Sequence, residues 1–336
     1  TPLVAFGVIT ITFIITMFGS RTLTLVENAI TIVLIVVLVL FVVFGVMKVN
    51  PGNFFDPSYD GGLFPGGFSG FLGAVSVMAF VCMGQTAPAS LAAVTKNPKK
   101  NVPLSMLLIA LTTGGIYALI AYVASGVLPY EQVAGANLSV TAEVIFPPAL
   151  YILFVSGGGL CAIASSMLST LGYVRYPLIQ IANEGWLPGI FKKQDKNGYP
   201  YMTYGLYFLI SVIPLALDMD IDSVVSLVMI PMMLINAYLN FKCVVLPKKF
   251  PKQWENRSLR IPALLYNICC MIGGGCALVI AYNLFKDMSV VEMIVTVIIV
   301  VLLVGLSALR LKQKAVDPKH LVEQRDQLMK EALEQN

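Results

Sequence analysis

Residues 61–95 read GGLFPGGFSGFLGAVSVMAFVCMGQTAPASLAAVT, without one Asp, Glu, Lys, Arg or His. As a single helix this run would be about 52 Å long, well over the roughly 30 Å of bilayer hydrocarbon, so part of it is not spanning helix. The glycine-proline cluster Gly61-Gly62-Leu63-Phe64-Pro65-Gly66-Gly67 has turn chemistry and removes the start. Further on, Gly84-Gln85-Thr86-Ala87-Pro88 puts a glycine, two polar side chains and a proline near the midplane. Pro88 removes one backbone donor and frees a carbonyl about a turn earlier, and Gly84 tolerates unwound dihedrals. The segment therefore reads as a helix broken near residue 84. A proline-kinked helix packed against its neighbours is the other reading of the same residues.

Eight more charge-free runs flank it, at 1–20, 28–47, 101–130, 144–174, 197–217, 223–241, 261–285 and 293–309. Each is about long enough for the roughly 20 residues of a membrane-crossing helix, the last with help from its flanks. They are continuous and not the alternating segments of a transmembrane barrel, so the fold class is all-α, a polytopic membrane protein with nine spans. Composition agrees: 57% of the 336 residues are hydrophobic and 12% charged, and the mean hydropathy is +0.83. Neither a soluble nor a disordered chain looks like this.

Assigning alternate connections to opposite sides puts all but Lys48 and Lys286 of the 22 Lys and Arg on one side. Asp218, Asp220 and Asp222 fall on the other. By the positive-inside rule the C-terminus is cytoplasmic. Thr1 then starts outside, which makes the chain read as part of a longer protein with an odd number of helices upstream.

Several function classes drop out. His320, the one histidine, lies in the polar tail, which leaves no base for a Ser/His or Cys/His triad and no zinc cluster. The six cysteines sit in or at the ends of apolar runs, so no metal and no external disulfide is expected. The chain is not expected to be an enzyme. A net charge of +4 is too weak and scattered for a nucleic-acid partner. Membrane lipid is the expected surrounding, with Trp186, Tyr201 and Trp254 as interface anchors. Asp317-Pro318 starts a short amphipathic helix in the tail.

Backbone exposed at membrane depth is accepted only where it lines a cavity or binds something, and secondary transporters bind substrate at such breaks. The candidate substrate-binding residues are accordingly Phe80, Cys82, Met83, Gly84, Gln85 and Thr86. In the run 144–174, Gly157-Gly158-Gly159 suits close helix packing. Ser165 and Ser166 are candidate oxygens for a cation or a substrate, or they back-bond to their own helix. No ionisable side chain falls near the middle of any run, so a carboxylate proton relay is not expected within this chain.

Residues 96–103, KNPKKNVP, and 183–188, NEGWLP, resemble two cytoplasmic signatures of the amino acid-polyamine-organocation (APC) superfamily of permeases, those after its sixth and eighth helices. The resemblance covers the chain to about Leu311 and implies that the nine spans are helices 4–12 of twelve. It implies a partial LeuT-type fold of five-plus-five inverted repeats: residues 1–47 end the first repeat, 68–246 are the second, 261–311 are two peripheral helices, and 312–336 are a cytoplasmic tail helix. The sixth helix of the superfamily commonly reads Phe-x-Gly-aromatic-Glu; here Cys82, Met83, Gly84, Gln85 and Thr86 stand there and only Gly84 matches. The fifth helix, 28–47, has no lysine. The implied function is secondary active transport of amino acids or related small amines across the cytoplasmic membrane by alternating access. No cofactor is implied, and either Na+ or H+ is open as coupling ion. The alternative is a transport-inactive nutrient sensor or partner-binding protein with the same fold.

Overall fold

The computed structural model describes residues 2–17, 20–54, 66–92, 95–195, 200–217, 219, 221–257, 260–286 and 288–334. The helices are α1 (Pro2–Met17), α2 (Ser20–Val46), α3 (Gly67–Val81), α4 (Ala87–Ser90), α5 (Pro98–Val127), α6 (Leu138–Ile145), α7 (Pro148–Leu153), α8 (Cys161–Asn183), α9 (Tyr201–Ala216), α10 (Ile221–Cys243), α11 (Ala263–Lys286), α12 (Val290–Lys312) and α13 (Pro318–Glu334). No strand occurs among the described residues. Most of the expected external turn at 61–67, together with Asp218 and Asp220, lies outside the described residues.

Six helical stretches are long and apolar enough to cross a membrane, and the pair α3 plus Met83–Ser90, bent by 42°, makes a seventh. The two remaining runs hold α1 and α9, each 16 residues, short of the roughly 20 of a perpendicular crossing. On α12 the apolar side chains Leu302, Leu303 and Val304 are 58%, 58% and 64% exposed, a contiguous apolar surface that water would not tolerate and lipid requires.

The chain divides into two compact units. One comprises residues 1–70, 108–175 and 194–215. Its core packs Val37 and Phe41 of α2, Ile120 and Val123 of α5, Ala142 and Ile145 of α6, and Phe146 with Phe154. Phe41 is fully buried and stacks on Phe154 at 5.1 Å between ring centroids. Phe154 opens a π-helical turn, Phe154–Leu160, that joins α7 to α8. A Cβ on Gly157 would sit 3.3 Å from Val33, and one on Gly158 3.3 Å from Val37. These two glycines therefore let α2 approach, which is the packing reading of the glycine run.

The other unit comprises residues 71–107, 176–193 and 216–336. Here α10 and α11 pack together, with Met229, Ile230, Leu284 and Met288 buried between them and Ala79 and Met83 against that cluster. Gly274 of α11 makes the approach close: a Cβ there would lie 2.5 Å from the Phe241 ring.

Both signature peptides acquire a physical cause in this unit. In KNPKKNVP, Asn97 takes a left-handed φ of 49°, a conformation asparagine tolerates better than most residues. Pro98 then fills the first position of α5, where its missing N–H costs nothing, and Asn101 Nδ2 donates back to the Lys96 carbonyl at 2.6 Å. In NEGWLP, Gly185 has φ +92° and a Cβ would fall 2.0 Å from the carbonyl oxygen of Ala315. Arg310, in the last turn of α12, donates from Nε to the Gly185 carbonyl at 2.9 Å and from Nη2 to the Leu187 carbonyl at 3.1 Å. The turn after α8 is thus riveted to the end of α12, and buried Val316 closes the contact. The tail helix α13 follows where Asp317-Pro318 starts it, with Asp317 Oδ1 accepting from the Lys319 N–H at 2.9 Å.

Gly185→Ala is expected to lower the unfolding midpoint of the detergent-purified protein, since the left-handed backbone alone costs about 1–2 kcal/mol before the Ala315 overlap. Gly189→Ala, with nothing within 4 Å of a Cβ, leaves the midpoint unchanged in the same thermal-shift measurement.

Candidate functional site

The broken helix is present, and its hydrogen bonds show how it breaks. In an unbroken α-helix each N–H bonds four residues back. Here Cys82 N donates to the Ala79 carbonyl at 3.2 Å and Gln85 N to the Cys82 carbonyl at 3.3 Å, and Ala87 N goes to Gly84. All three bonds reach three residues back, so the donors due to the carbonyls of Met78, Val81 and Met83 are redirected one residue on. Cys82 (φ −89°, ψ 0°), Thr86 (φ −89°, ψ −6°) and Leu91 (φ −97°, ψ 5°) all lie in the sparsely populated bridge region. Between the first two runs the 3-10 turn Met83–Thr86, and the helix resumes as α4 for one turn only. Pro88, with no N–H, is one residue into that turn.

Beside the break is a cavity of about 250 Å3. Cys82, Met83, Gln85 and Thr86 line it from the break, with Ala79 of α3. Met232, Met233, Asn236 and Asn240 close it from α10, and Gly273, Cys276, Ala277 and Ile280 from α11. None of these side chains carries charge. Asn236 Nδ2 donates to the Met232 carbonyl at 3.0 Å and Asn240 Nδ2 to the Asn236 carbonyl at 2.9 Å. Each amide spends a donor on its own helix, and its Oδ1 remains an acceptor. These two asparagines were not among the residues singled out from sequence. Their signal is there, two carboxamides four residues apart in the charge-free run 223–241, which puts both on one helix face.

Four of the six residues expected at the substrate site therefore share one cavity. Phe80 does not join them; it lines a neighbouring cavity of about 770 Å3 with Val77, Ser223, Ser226, Met288 and Glu292 among its walls. In that second cavity Glu292 closes a capping box at the start of α12 with Ser289 and accepts from Ser223 Oγ. Gly84 is exposed, and a Cβ there would meet nothing within 4 Å. Glycine at 84 is thus not demanded by crowding.

The expected cation residues separate. Ser165 Oγ is 3.3 Å from Thr31 Oγ1 of α2, whereas Ser166 is exposed and contributes its carbonyl to Thr170 Oγ1 at 2.7 Å. One turn beyond Ser165, Ser169 Oγ donates to Glu27 Oε1 of α2 at 2.5 Å. Among the described residues no group of three or more His, Cys, Asp or Glu could hold a metal ion.

The family description "Amino acid permease" matches residues 1–307. The chain is similar to the branched-chain amino acid permease BcaP of Bacillus subtilis, 25% identical over 228 residues that cover 67% of this chain and 48% of that protein. It is similar to the methylthioribose transporter of the same bacterium, 24% identical over 269 residues, 79% of this chain and 56% of that one. Against cationic amino acid transporter 4 of Mus musculus it is 22% identical over 228 residues, 68% and 36% of the two chains. The chain spans about half the length of the first two of these relatives. They are permeases and transporters, not enzymes.

The cavity at the break can be checked by thiol chemistry. In single-cysteine variants, Cys82 and Cys276, which line it, are expected to react with a small maleimide, while buried Cys270 stays protected. Equal protection of Cys82 and Cys270 would show that the cavity is closed.

Proposed function

The chain belongs to the amino acid permease family, and on that premise we propose that it carries a neutral amino acid or a small related amine across the cell membrane by alternating access. The observation that carries this reading is the interrupted helix at Cys82–Thr86 bordered by an uncharged cavity. At about 250 Å3 the cavity lies below the roughly 300–1,000 Å3 of drug-sized sites and suits a single small metabolite.

The lining supports a zwitterion with an apolar side chain. The Oδ1 atoms of Asn236 and Asn240 accept from the substrate ammonium. The helix after the break is only four residues long, too short to offer a full dipole, so the carboxylate is taken by the donors of Gln85 and Thr86. Met83, Met232, Met233 and Ile280 surround the side chain, and thioethers adapt to different aliphatic shapes. A cationic side chain finds no carboxylate in this lining and is disfavoured by desolvation.

Uptake into proteoliposomes across a panel of amino acids tests the reading. Aliphatic neutral amino acids are expected to be taken up and to compete with one another, and lysine to compete poorly. Tight binding without any uptake would make the protein a sensor instead.

Variants at the cavity sharpen this. Asn236→Leu is expected to raise KM about tenfold, the loss of one hydrogen bond to a charged group. Thr86→Leu, which puts an apolar side chain on the cavity wall, is expected to insert and fold normally while abolishing uptake. Wild-type uptake by Thr86→Leu would remove the break from the substrate path.

A further inference from the structure

We propose that the second cavity, the one of about 770 Å3 beside the start of α12, binds a small hydrophobic ammonium ion with Glu292 as its anionic anchor. The inference rests on the transport reading only for what occupancy does to uptake. Every wall of this cavity belongs to the same compact unit.

The lining is of two kinds. Val77 and Phe80 of α3, Val225 of α10, and Leu284 and Met288 at the end of α11 make apolar walls. Ser223 and Ser226 of α10, with Ser289 and Glu292 at the start of α12, supply the polar groups. The carboxylate is held in place by its neighbours. Its Oε2 accepts from the N–H and from the Oγ of Ser289, both at 2.7 Å, and its Oε1 accepts from Ser223 Oγ. Donors converge on it from two sides, an arrangement that suits a charged acceptor.

A countercharge is what these contacts do not bring. Glu292 lies in the first turn of the apolar span Val290–Lys312, where an ionised group is expensive unless it is paired. Among the described residues its partners are hydroxyls and one amide, and the ion pair found there is elsewhere, between Arg325 and Asp326. In sequence, positions 218, 220, 222 and 287 near these helix starts are aspartates, against Lys286 alone, a balance that draws cations.

These groups select the ligand. An ammonium group has donors for Glu292 and for a hydroxyl such as Ser226 Oγ, and its hydrocarbon part lies against Phe80, Leu284 and the Met288 thioether, which accepts varied shapes. An amino acid is disfavoured, because its carboxylate would stand beside that of Glu292. The volume falls within the roughly 300–1,000 Å3 of small-molecule sites, so the occupant is a soluble amine and not a two-chain lipid. Phe80 stands two residues before Cys82 of the cavity at the break, so a ligand here leans on α3 without touching the substrate.

Equilibrium binding of radiolabelled phenylbutylammonium to the purified protein in detergent is the test, with phenylbutanol, phenylbutyrate and butylammonium as competitors. Wild type is expected to prefer the ammonium to the alcohol by at least roughly tenfold, the worth of one hydrogen bond to a charged group, and to ignore the carboxylate. Butylammonium, without the ring, is expected to bind at least roughly tenfold more weakly. Glu292→Gln keeps the capping box, in which glutamine can replace glutamate, and is expected to lose the preference for ammonium over alcohol with its thermal midpoint unchanged. No binding by wild type, no preference for the ammonium, or equal binding by Glu292→Gln overturns the proposal. Displacement by a neutral amino acid overturns it too, since the compound would then sit at the break. If nanodiscs of phosphatidylethanolamine abolish binding and those of phosphatidylglycerol do not, the occupant is a lipid headgroup and the soluble ligand is refuted. In proteoliposomes phenylbutylammonium is expected to lower the maximal rate of amino acid uptake and leave KM unchanged. If no amino acid is taken up while ammonium binding still depends on Glu292, the site stands and the transport reading fails.

Discussion

Inside hydrocarbon a backbone amide has no water to turn to, so a chain that leaves the helical ladder must do so against protein or a cavity. That constraint governs the segment from Ala79 to Leu91. Its bonds shorten to three residues at Cys82, Gln85 and Ala87, and the axis bends by 42°. α10 and α11 wall off the break on one side, and their own closeness depends on Gly273 and Gly274 meeting Asn240 and Phe241. The cavity is the space these three elements leave, and its polar character comes from amides and a hydroxyl without a formal charge.

Helix positions were legible in the sequence because hydrocarbon length and charge exclusion are strong constraints. The runs 101–130 and 261–285 correspond to Pro98–Val127 and Ala263–Lys286. Helix ends went beyond the runs where charges belong to a helical turn: Glu292 caps the start of α12, and Arg310 and Lys312 occupy its last turn. The break was legible for the same reason, since Gly84 and Pro88 stand in a run too long for one span.

The polar contacts between helices were not legible, and Glu27 shows why. Spans found by the absence of charge end at any charged residue by construction, so the run beginning at residue 28 excluded a carboxylate that α2, starting at Ser20, includes. Adjacent hydroxyls misled in another way: Ser165 and Ser166 look paired in sequence, but neighbours on a helix point about 100° apart, and the partners of Ser165 come from α2. Likewise Phe80 lies five residues before Gln85 yet faces the other cavity. The Arg310 grip on Gly185 and Leu187 joins residues far apart in the chain, and periodicity carries no trace of it. The two signatures at 96–103 and 183–188 are then explained locally by Asn97 and Gly185, whose backbones adopt positive φ.

The central claim is that the irregular backbone at Cys82–Thr86 receives the cargo. Hydrogen–deuterium exchange of the purified protein, with and without a saturating neutral amino acid, addresses it most directly. The account predicts that amides of residues 82–86 exchange faster than those of α3 in the free protein and become protected when the amino acid is added. Protection confined to other segments, with exchange at 82–86 unaltered by the amino acid, would contradict it.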